Sequence, residues 1–353
     1  MSNEAILNIL KQVKYPGFSR DIVSFGLVQK AELHGKLAKV TLELSTADQT
    51  LPNAIKKEVE EALLTDDTIE EAEVLVTVKS NQGTAGGQSQ QSNENLSGVK
   101  RIIAIASGKG GVGKSTLTVN LASALARMKN EKDEPLKVGI MDCDLYGPSV
   151  PLLLGAADRP ELVGDNILAP VESYDIKFIS MGLLIDEESP VVWRGPMIMK
   201  TIQQFADNVR WGELDYLLID LPPGTGDAQL SLAQVLPLDG AVIVTTPQKA
   251  AVDVARRGAR MFEKVNVPLL GVVENMSYLL DPESGKKSYL FGQGGGSTTA
   301  QQLKTVFLGE VPLDQEVREG GDHGTPVVVV NPENPSSESI TEIARKLTEI
   351  LPS

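Results

Sequence analysis

The sequence predicts an α/β protein in which a parallel sheet, covered by helices on both faces, follows a small α+β domain. Two patterns carry that reading. Beyond residue 98, short apolar runs alternate with helical stretches: Ile102–Ala106, Val138–Met141, Tyr216–Ile219, Ala241–Val244 and Leu269–Val273, with Leu308–Val311 as a sixth. Runs that are apolar along their whole length, separated by helices, mark βαβ units whose sheet is buried on both sides. Ahead of them, residues 80–98 are built largely from Gly, Ser, Gln and Asn, the composition of a flexible linker. The expected boundaries are a small domain over 1–79, a linker over 80–98 and the larger domain over 99–353.

In the small domain, Glu4–Lys14 reads as a helix and Ile22–Val28 and Ala38–Leu44 as alternating strands. Ala54–Leu64 is a second helix and Ala72–Val78 a third strand. In the larger domain, the buried strand Arg101–Ala106 runs into Gly108-Lys109-Gly110-Gly111-Val112-Gly113-Lys114-Ser115-Thr116, and Leu117, Leu121, Leu125 and Met128 recur at helical spacing after it. Strand, glycine loop, helix is the order of a phosphate loop, so the fold class sharpens to a parallel-sheet P-loop NTPase domain behind a small α+β domain. At the far end, Ser339–Leu351 places Ile340, Ile343, Ala344, Leu347 and Ile350 on one helical face. Its polar face mixes Glu338, Glu342 and Glu349 with Arg345 and Lys346, without the basic excess of a lipid-binding helix, so core packing is expected.

Each position of the loop has a physical task. Side chains at the glycines would block the approach of backbone N–H groups to a polyphosphate. Lys114 neutralises the β- and γ-phosphates, Ser115 offers its hydroxyl to Mg²⁺, and Thr116 opens the helix whose N-terminal dipole favours the anion. Lys109 places a second cation beside Lys114, which is repulsive in an empty site. It either reaches the nucleotide of a second subunit to stabilise transition-state charge or is a solvated loop lysine.

Two further strands end in acids. Val138–Met141 leads into Asp142-Cys143-Asp144, where one carboxylate suits the Mg²⁺ site and the other the attacking water. Tyr216–Ile219 leads into Asp220-Leu221-Pro222-Pro223-Gly224-Thr225-Gly226-Asp227, where Asp220 suits Mg²⁺ through water and Gly224 can turn its N–H to a γ-phosphate.

Composition narrows the partners. A formal charge of −14 over 353 residues argues against a nucleic-acid surface, and no run is long enough to span a bilayer, so a cytoplasmic protein without stable membrane association is expected. The single cysteine, Cys143, excludes an intrachain disulfide and a cysteine metal site completed within one subunit. His34 and His323 have no metal-ligand partner at helical or hairpin spacing.

Gly108–Thr116 with its extra lysine, Asp142–Ser149, Trp193–Met197, Asp220–Asp227 and Glu274-Asn275-Met276-Ser277-Tyr278 together resemble the Mrp-type branch of the MinD/ParA superfamily of deviant phosphate-loop ATPases, over roughly residues 98–351. Asp21–Val28 resembles the small domain often fused to these proteins and linked to iron–sulfur assembly. The resemblance implies an ATP- and Mg²⁺-binding homodimer with two nucleotides at its interface. It also implies slow ATP hydrolysis and delivery of iron–sulfur clusters to apo iron–sulfur proteins, or work with assembly factors. Carried over, Lys109 reaches across the dimer, Lys114 and Ser115 meet phosphate and Mg²⁺, Asp144 activates water, Asp220 is linked to Mg²⁺ and Asn275 touches adenine.

The chain departs from the pattern at one place. Many members hold Cys-x-x-Cys between the Asn275–Tyr278 motif and the Phe291–Gly296 motif, whereas here Asp281 and Ser284 stand at those positions. Ser45–Pro52 also lacks the cysteine frequent in the small domain. A cluster bridged between subunits ordinarily takes four thiolates, and Cys143 lies between two acids that should raise its pKa. The cluster ligands are therefore unknown from sequence. Two other readings stand beside the carrier: an ATP-gated adaptor or switch without its own cluster, and a MinD- or ParA-like positioning ATPase.

Overall fold

The computed structural model describes residues 3–13, 22–23, 27–34, 36–45, 51–66, 68–79, 95–144, 147–164, 167–183, 195–224 and 227–353. The chain divides into two compact units, Met1–Gln90 and Gln91–Ser353.

In the first unit, helix α1 (Asn3–Leu10) is followed by strands β1 (Val28–His34) and β2 (Leu37–Ser45), helix α2 (Leu51–Leu63) and strand β3 (Glu71–Lys79). The sheet order is β1-β2-β3, with β1 antiparallel and β3 parallel to β2. Alternation along β2 sends Ala38, Val40 and Leu42 into a core with Ile6 and Leu10 of α1 and Ile55, Val59 and Leu63 of α2. The expected strand at Ile22–Val28 is corrected at its described residues: Ile22 and Val23 form a turn and β1 begins at Val28, while residues 24–26 lie outside the described residues. Ile22 is fully buried, and its N–H donates to the Val13 carbonyl at 3.0 Å, so its apolar character serves the core from a turn. The helix expected to reach Lys14 ends at Leu10.

The second unit runs β4 (Val99–Ser107), α3 (Lys114–Ala126), β5 (Val138–Asp142), α4 (Val150–Leu153), β6 (Leu162–Gly164), β7 (Ile167–Leu168), β8 (Val171–Ser173), β9 (Ile176–Ser180) and α5 (Gly195–Asn208). It continues with β10 (Leu214–Asp220), α6 (Asp227–Val235), β11 (Gly240–Thr245), α7 (Lys249–Lys264), β12 (Leu269–Glu274) and the short hairpin β13 (Leu279–Leu280) and β14 (Lys287–Ser288). It closes with α8 (Gly295–Leu303), β15 (Phe307–Glu310), α9 (Gln315–His323), α10 (Val327–Val330) and α11 (Pro335–Ile350). The main sheet has the order β15-β12-β11-β4-β10-β5-β9-β8 and is parallel apart from the edge strand β8.

Side chains alternate across it. Ile103 and Ile105 of β4 pack into one layer with Leu117 and Leu121 of α3 and Ile340 and Ile343 of α11. Ile102, Ala104 and Ala106 pack into the other with Phe205 of α5 and Ala259 and Phe262 of α7. Strand β9, which pairs in parallel with β5, was not expected from the sequence. Leu96 inside the expected linker is only 5 % exposed and belongs to the second layer. Helix α11 buries Ile340, Ile343, Ala344 and Leu347 of the face expected to pack, while Ile350 at its end is exposed. Among the described residues, no helix is long and apolar enough to cross a membrane.

This order puts β4, β10 and β5 side by side, with Asp220 in register with Ile105 on one neighbour and Asp142 on the other. The loops after these three strands therefore meet at one sheet edge, where open parallel sheets bind ligands.

Candidate functional site

The loop 108–113 joins β4 to α3, and two of its glycines are required by space and conformation. A Cβ on Gly108 would lie 2.5 Å from the Val254 carbonyl carbon in the α7 backbone. Gly113 has φ 75°, and a Cβ there would lie 2.3 Å from Asn275 Nδ2. Gly113 also precedes α3 without any side-chain cap, which leaves the first N–H groups of the helix facing the loop.

Behind the loop the polar groups converge on one carboxylate. Asp220 is fully buried, Lys114 is 5 % exposed, and Lys114 Nζ lies 2.8 Å from Asp220 Oδ2. The Ser115 hydroxyl donates to Asp220 Oδ2 at 2.6 Å, and the Thr118 hydroxyl to Asp220 Oδ1 at 2.8 Å. A buried charge persists only when it is paired and hydrogen-bonded, and here both oxygens are occupied.

Asp142, next to Asp220 in register, is also fully buried. It accepts from the Ser180 hydroxyl at 2.8 Å, the Asp144 N–H at 3.1 Å and the Val150 N–H at 3.4 Å. Burial, and then the negative charge of Asp220, push its carboxyl up to about 7, against the hydrogen bonds from Ser180 and Asp144. Cys143 is buried too, and burial together with Asp142 and Asp220 pushes its thiol well above the usual range, as the two flanking acids suggested.

In front of this layer lies a cavity of about 200 Å³ lined by residues 109–116 with Ser107, Asp144, Ser149 and Pro223. The structure thus brings Lys109, Lys114, Ser115, Thr116 and Asp144 to one space, with Asp220 directly behind. Lys109 Nζ donates to Gln248 Oε1 at 3.2 Å, immediately before α7. Asn275 does not line the cavity. Its Nδ2 donates to the Val112 carbonyl at 2.8 Å, bracing the loop from the far side against Gly113. Gly224, expected to face a γ-phosphate, donates its N–H to the Ser107 carbonyl at 3.0 Å. Trp193 and Arg194 fall outside the described residues, as do Leu145, Tyr146, Thr225 and Gly226.

Asp281 and Ser284 lie far along the chain in the β13–β14 hairpin and are engaged with each other. Asp281 Oδ1 accepts both the N–H and the hydroxyl of Ser284, each at 2.7 Å. These bonds hold the Asp281 carboxyl below its ordinary value. Among the described residues, no group of three or more His, Cys, Asp or Glu is placed to hold a metal ion.

Sequence reasoning missed Thr118, Gln229 and Gln248. Thr118 left a signal, since it follows Lys114 by one helical turn in a helix whose polar Thr118, Asn120 and Ser123 are all buried. Gln248 left none, because its partner is 139 residues away, and Gln229 left none, because it bonds only backbone carbonyls, of Ser107 122 residues away and of Pro222.

A glycine loop between a buried strand and a helix, with lysine and hydroxyl set against a strand-end aspartate, defines a P-loop NTPase. Comparison with known proteins agrees over almost the whole chain. Residues 98–348 match the family described as NUBPL iron-transfer P-loop NTPase, and residues 3–76 match that described as iron-sulfur cluster assembly protein. The chain belongs to the NUBPL iron-transfer P-loop NTPase family. An iron-sulfur cluster carrier protein of Synechocystis sp. is 43 % identical over 352 residues, covering 98 % of this chain and 97 % of that one. The mouse iron-sulfur cluster transfer protein NUBPL is 46 % identical over 258 residues, 73 % of this chain and 80 % of that one. A nucleotide-binding protein of Archaeoglobus fulgidus, solved in complex with ADP, superposes with a TM-score of 0.59 at 40 % identity, covering 69 % of this chain and 93 % of that one. The Pyrococcus furiosus cell division ATPase MinD shares the fold, with a TM-score of 0.53 at 24 % identity over 71 % of this chain and 99 % of that one.

Proposed function

We propose that the protein binds and slowly hydrolyses ATP with Mg²⁺ and, as a homodimer, delivers iron–sulfur clusters to apoproteins or assists their assembly. The observation that carries the nucleotide half is the buried Lys114–Ser115–Asp220 group behind an open glycine loop. Similarity to cluster carriers over nearly the full length supports the other half.

The loop N–H groups and Lys114 bind the phosphates. The donor set fits Mg²⁺: Ser115 offers a hydroxyl oxygen and Asp220 a carboxylate 2.6 Å from it, both hard ligands. When bound, the ion neutralises charge on the β- and γ-oxygens. Asp144, at the cavity wall, orients the attacking water and takes its proton. Lys109 leaves Gln248 and reaches the nucleotide of the second subunit, where it stabilises transition-state charge. Asn275 acts first on the loop through Val112, and adenine recognition is a further role for it.

The cluster is cargo. With Cys143 buried and Asp281 bonded to Ser284, one chain offers no ready set of thiolates, so ligands come from a partner, a small thiol or rearranged side chains. The same observation favours, as a second reading, an ATP-driven switch for a cluster held by a partner. Iron and sulfide analysis with the visible spectrum after anaerobic reconstitution, on wild type and Cys143→Ser, decides between them. A cluster that transfers to an apoprotein supports the carrier, and no cluster in either protein supports the switch.

A further inference from the structure

Gln229 lies in the first turn of α6, 2 % exposed. Its Nε2 donates to the Ser107 carbonyl at 3.3 Å and also to the Pro222 carbonyl. Ser107 ends β4 where the phosphate loop begins, and Pro222 belongs to the loop that follows Asp220. The same Ser107 carbonyl accepts the Gly224 N–H at 3.0 Å. Gln229 Oε1 is buried without a donor among the described residues.

We propose that Gln229 is a positioning residue through which the site distinguishes a triphosphate from a diphosphate: its amide keeps the Ser107 carbonyl bonded while Gly224 turns its N–H to a γ-phosphate. The inference rests on the reading that this site takes ATP. A buried carbonyl that loses its donor is penalised for desolvation without return. With Gln229 in place, Ser107 keeps one bond when Gly224 leaves, so the two positions of Gly224 lie close in free energy. Without it, Gly224 is the remaining donor to that oxygen and is held there, and ATP loses its advantage over ADP. The unsatisfied Oε1 points the same way. A side chain present for packing alone would not bring a buried, unpaired acceptor, whereas a clamp that works between two loop arrangements is incompletely satisfied in one of them.

The test is titration calorimetry of the full chain with Mg·ADP and with a Mg-bound non-hydrolysable ATP analogue, at pH 6 and pH 8. Gln229→Met keeps the bulk and removes the hydrogen bonds. It is expected to leave ADP affinity within about twofold of wild type while the preference for the ATP analogue falls roughly tenfold. Gln229→Glu supplies a readout that packing would not move. Its ionised carboxylate faces two carbonyl oxygens without a donor, and only the protonated form restores one bond, so its preference for the ATP analogue, taken relative to wild type at the same pH, recovers at pH 6.

An unchanged analogue-to-ADP ratio in Gln229→Met, or equal loss of both nucleotides, overturns the proposal. If Gln229→Met does not fold, a Gln229→Glu ratio that differs from wild type by the same factor at pH 6 and pH 8 overturns it. Wild type that binds neither nucleotide overturns the ATP site itself and Gln229 with it. Normal wild-type binding with an unchanged variant ratio overturns Gln229 alone.

Discussion

At the ends of β5 and β10, two aspartates and a lysine are removed from water, while at the tip of the β13–β14 hairpin an aspartate and a serine remain in it. Asp142 and Asp220 are fully buried and Lys114 nearly so, with a cavity directly in front of them. Asp281 and Ser284 are exposed and satisfy one another, and the turn they close also holds through the backbone bond from Gly285 N–H to the Asp281 carbonyl at 2.9 Å. Holding charges out of water is costly unless something is gained by it, so the first arrangement points to a charged ligand. The second is ordinary turn chemistry, in which an Asx side chain caps the N–H groups that follow it. Aspartates of the same chemistry therefore carry unequal functional weight.

The substitution that tests this contrast most severely is Lys114→Ala. It removes the cation 2.8 Å from Asp220 and leaves that carboxylate buried beside Asp142. Breaking such a pair costs about 3–5 kcal/mol. Denaturant unfolding should show a loss of that size, and calorimetry should show no ADP binding. Wild-type ADP affinity in this variant would remove the phosphate role of Lys114.

Lys109→Ala and Asp144→Asn act in front of the same layer without disturbing it. Among the described residues the Lys109 side chain bonds Gln248, and Asp144 is half-buried at the cavity wall. Both variants should bind ATP as wild type does. Turnover should fall by roughly 10³-fold for Lys109→Ala, the lower end of the effect of a cation supplied in trans. For Asp144→Asn it should fall by roughly 10²-fold, typical of a lost general base. Phosphate release under saturating Mg·ATP measures both, and an unchanged rate reassigns the residue concerned.

The sequence disclosed the parts of the molecule whose physics is local. The phosphate loop was legible because its glycines recur at set positions between strand and helix, and two of them are fixed by their neighbours: a Cβ on Gly108 would meet the α7 backbone and one on Gly113 the Asn275 side chain. The central strands were legible because burial on both faces makes them apolar throughout. Strand β9 was not, since Lys177 interrupts a run of only five residues. Ile22–Val28 misled because alternation was taken as strand, whereas Ile22 reaches the core from a turn. Within the site, Asp142 was read as facing the chemistry alongside Asp144, but it is enclosed by Ser180, Asp144 and Val150. Such enclosure depends on β5 lying between β9 and β10, which no local pattern encodes.

The enclosure of Asp142 has a measurable sign. Its carboxyl rises from 3.8 to about 7 on folding, so between those values the folded protein holds a proton that the unfolded chain has released. Stability from this group accordingly falls as pH rises from about 4 to 7, and the full penalty is present above 7. Asp142→Asn removes the ionisation and keeps one acceptor. Unfolding free energies at pH 5 and pH 8 should therefore show a decline in wild type that exceeds the decline in Asp142→Asn by an amount on the order of 1–3 kcal/mol. Parallel pH profiles would mean that Asp142 remains charged throughout and that the sheet edge carries two buried negative charges.

The smallest effect belongs to the hairpin. In Asp281→Ala the Ser284 N–H and hydroxyl lose an exposed acceptor, and water replaces it at little cost because both groups already face solvent. The hairpin retains its bonds from Asp281 N–H to the Lys286 carbonyl at 3.0 Å and from Gly285 N–H to the Asp281 carbonyl, and Gly285 supplies the φ of 66° that the turn needs. ATP turnover, melting temperature and cluster content after reconstitution should all match wild type. A drop in cluster content alone, with turnover intact, would make Asp281 a ligand that gives up Ser284 for the metal. The contrast between the two regions would then be one between a ligand site built in advance and one assembled on demand.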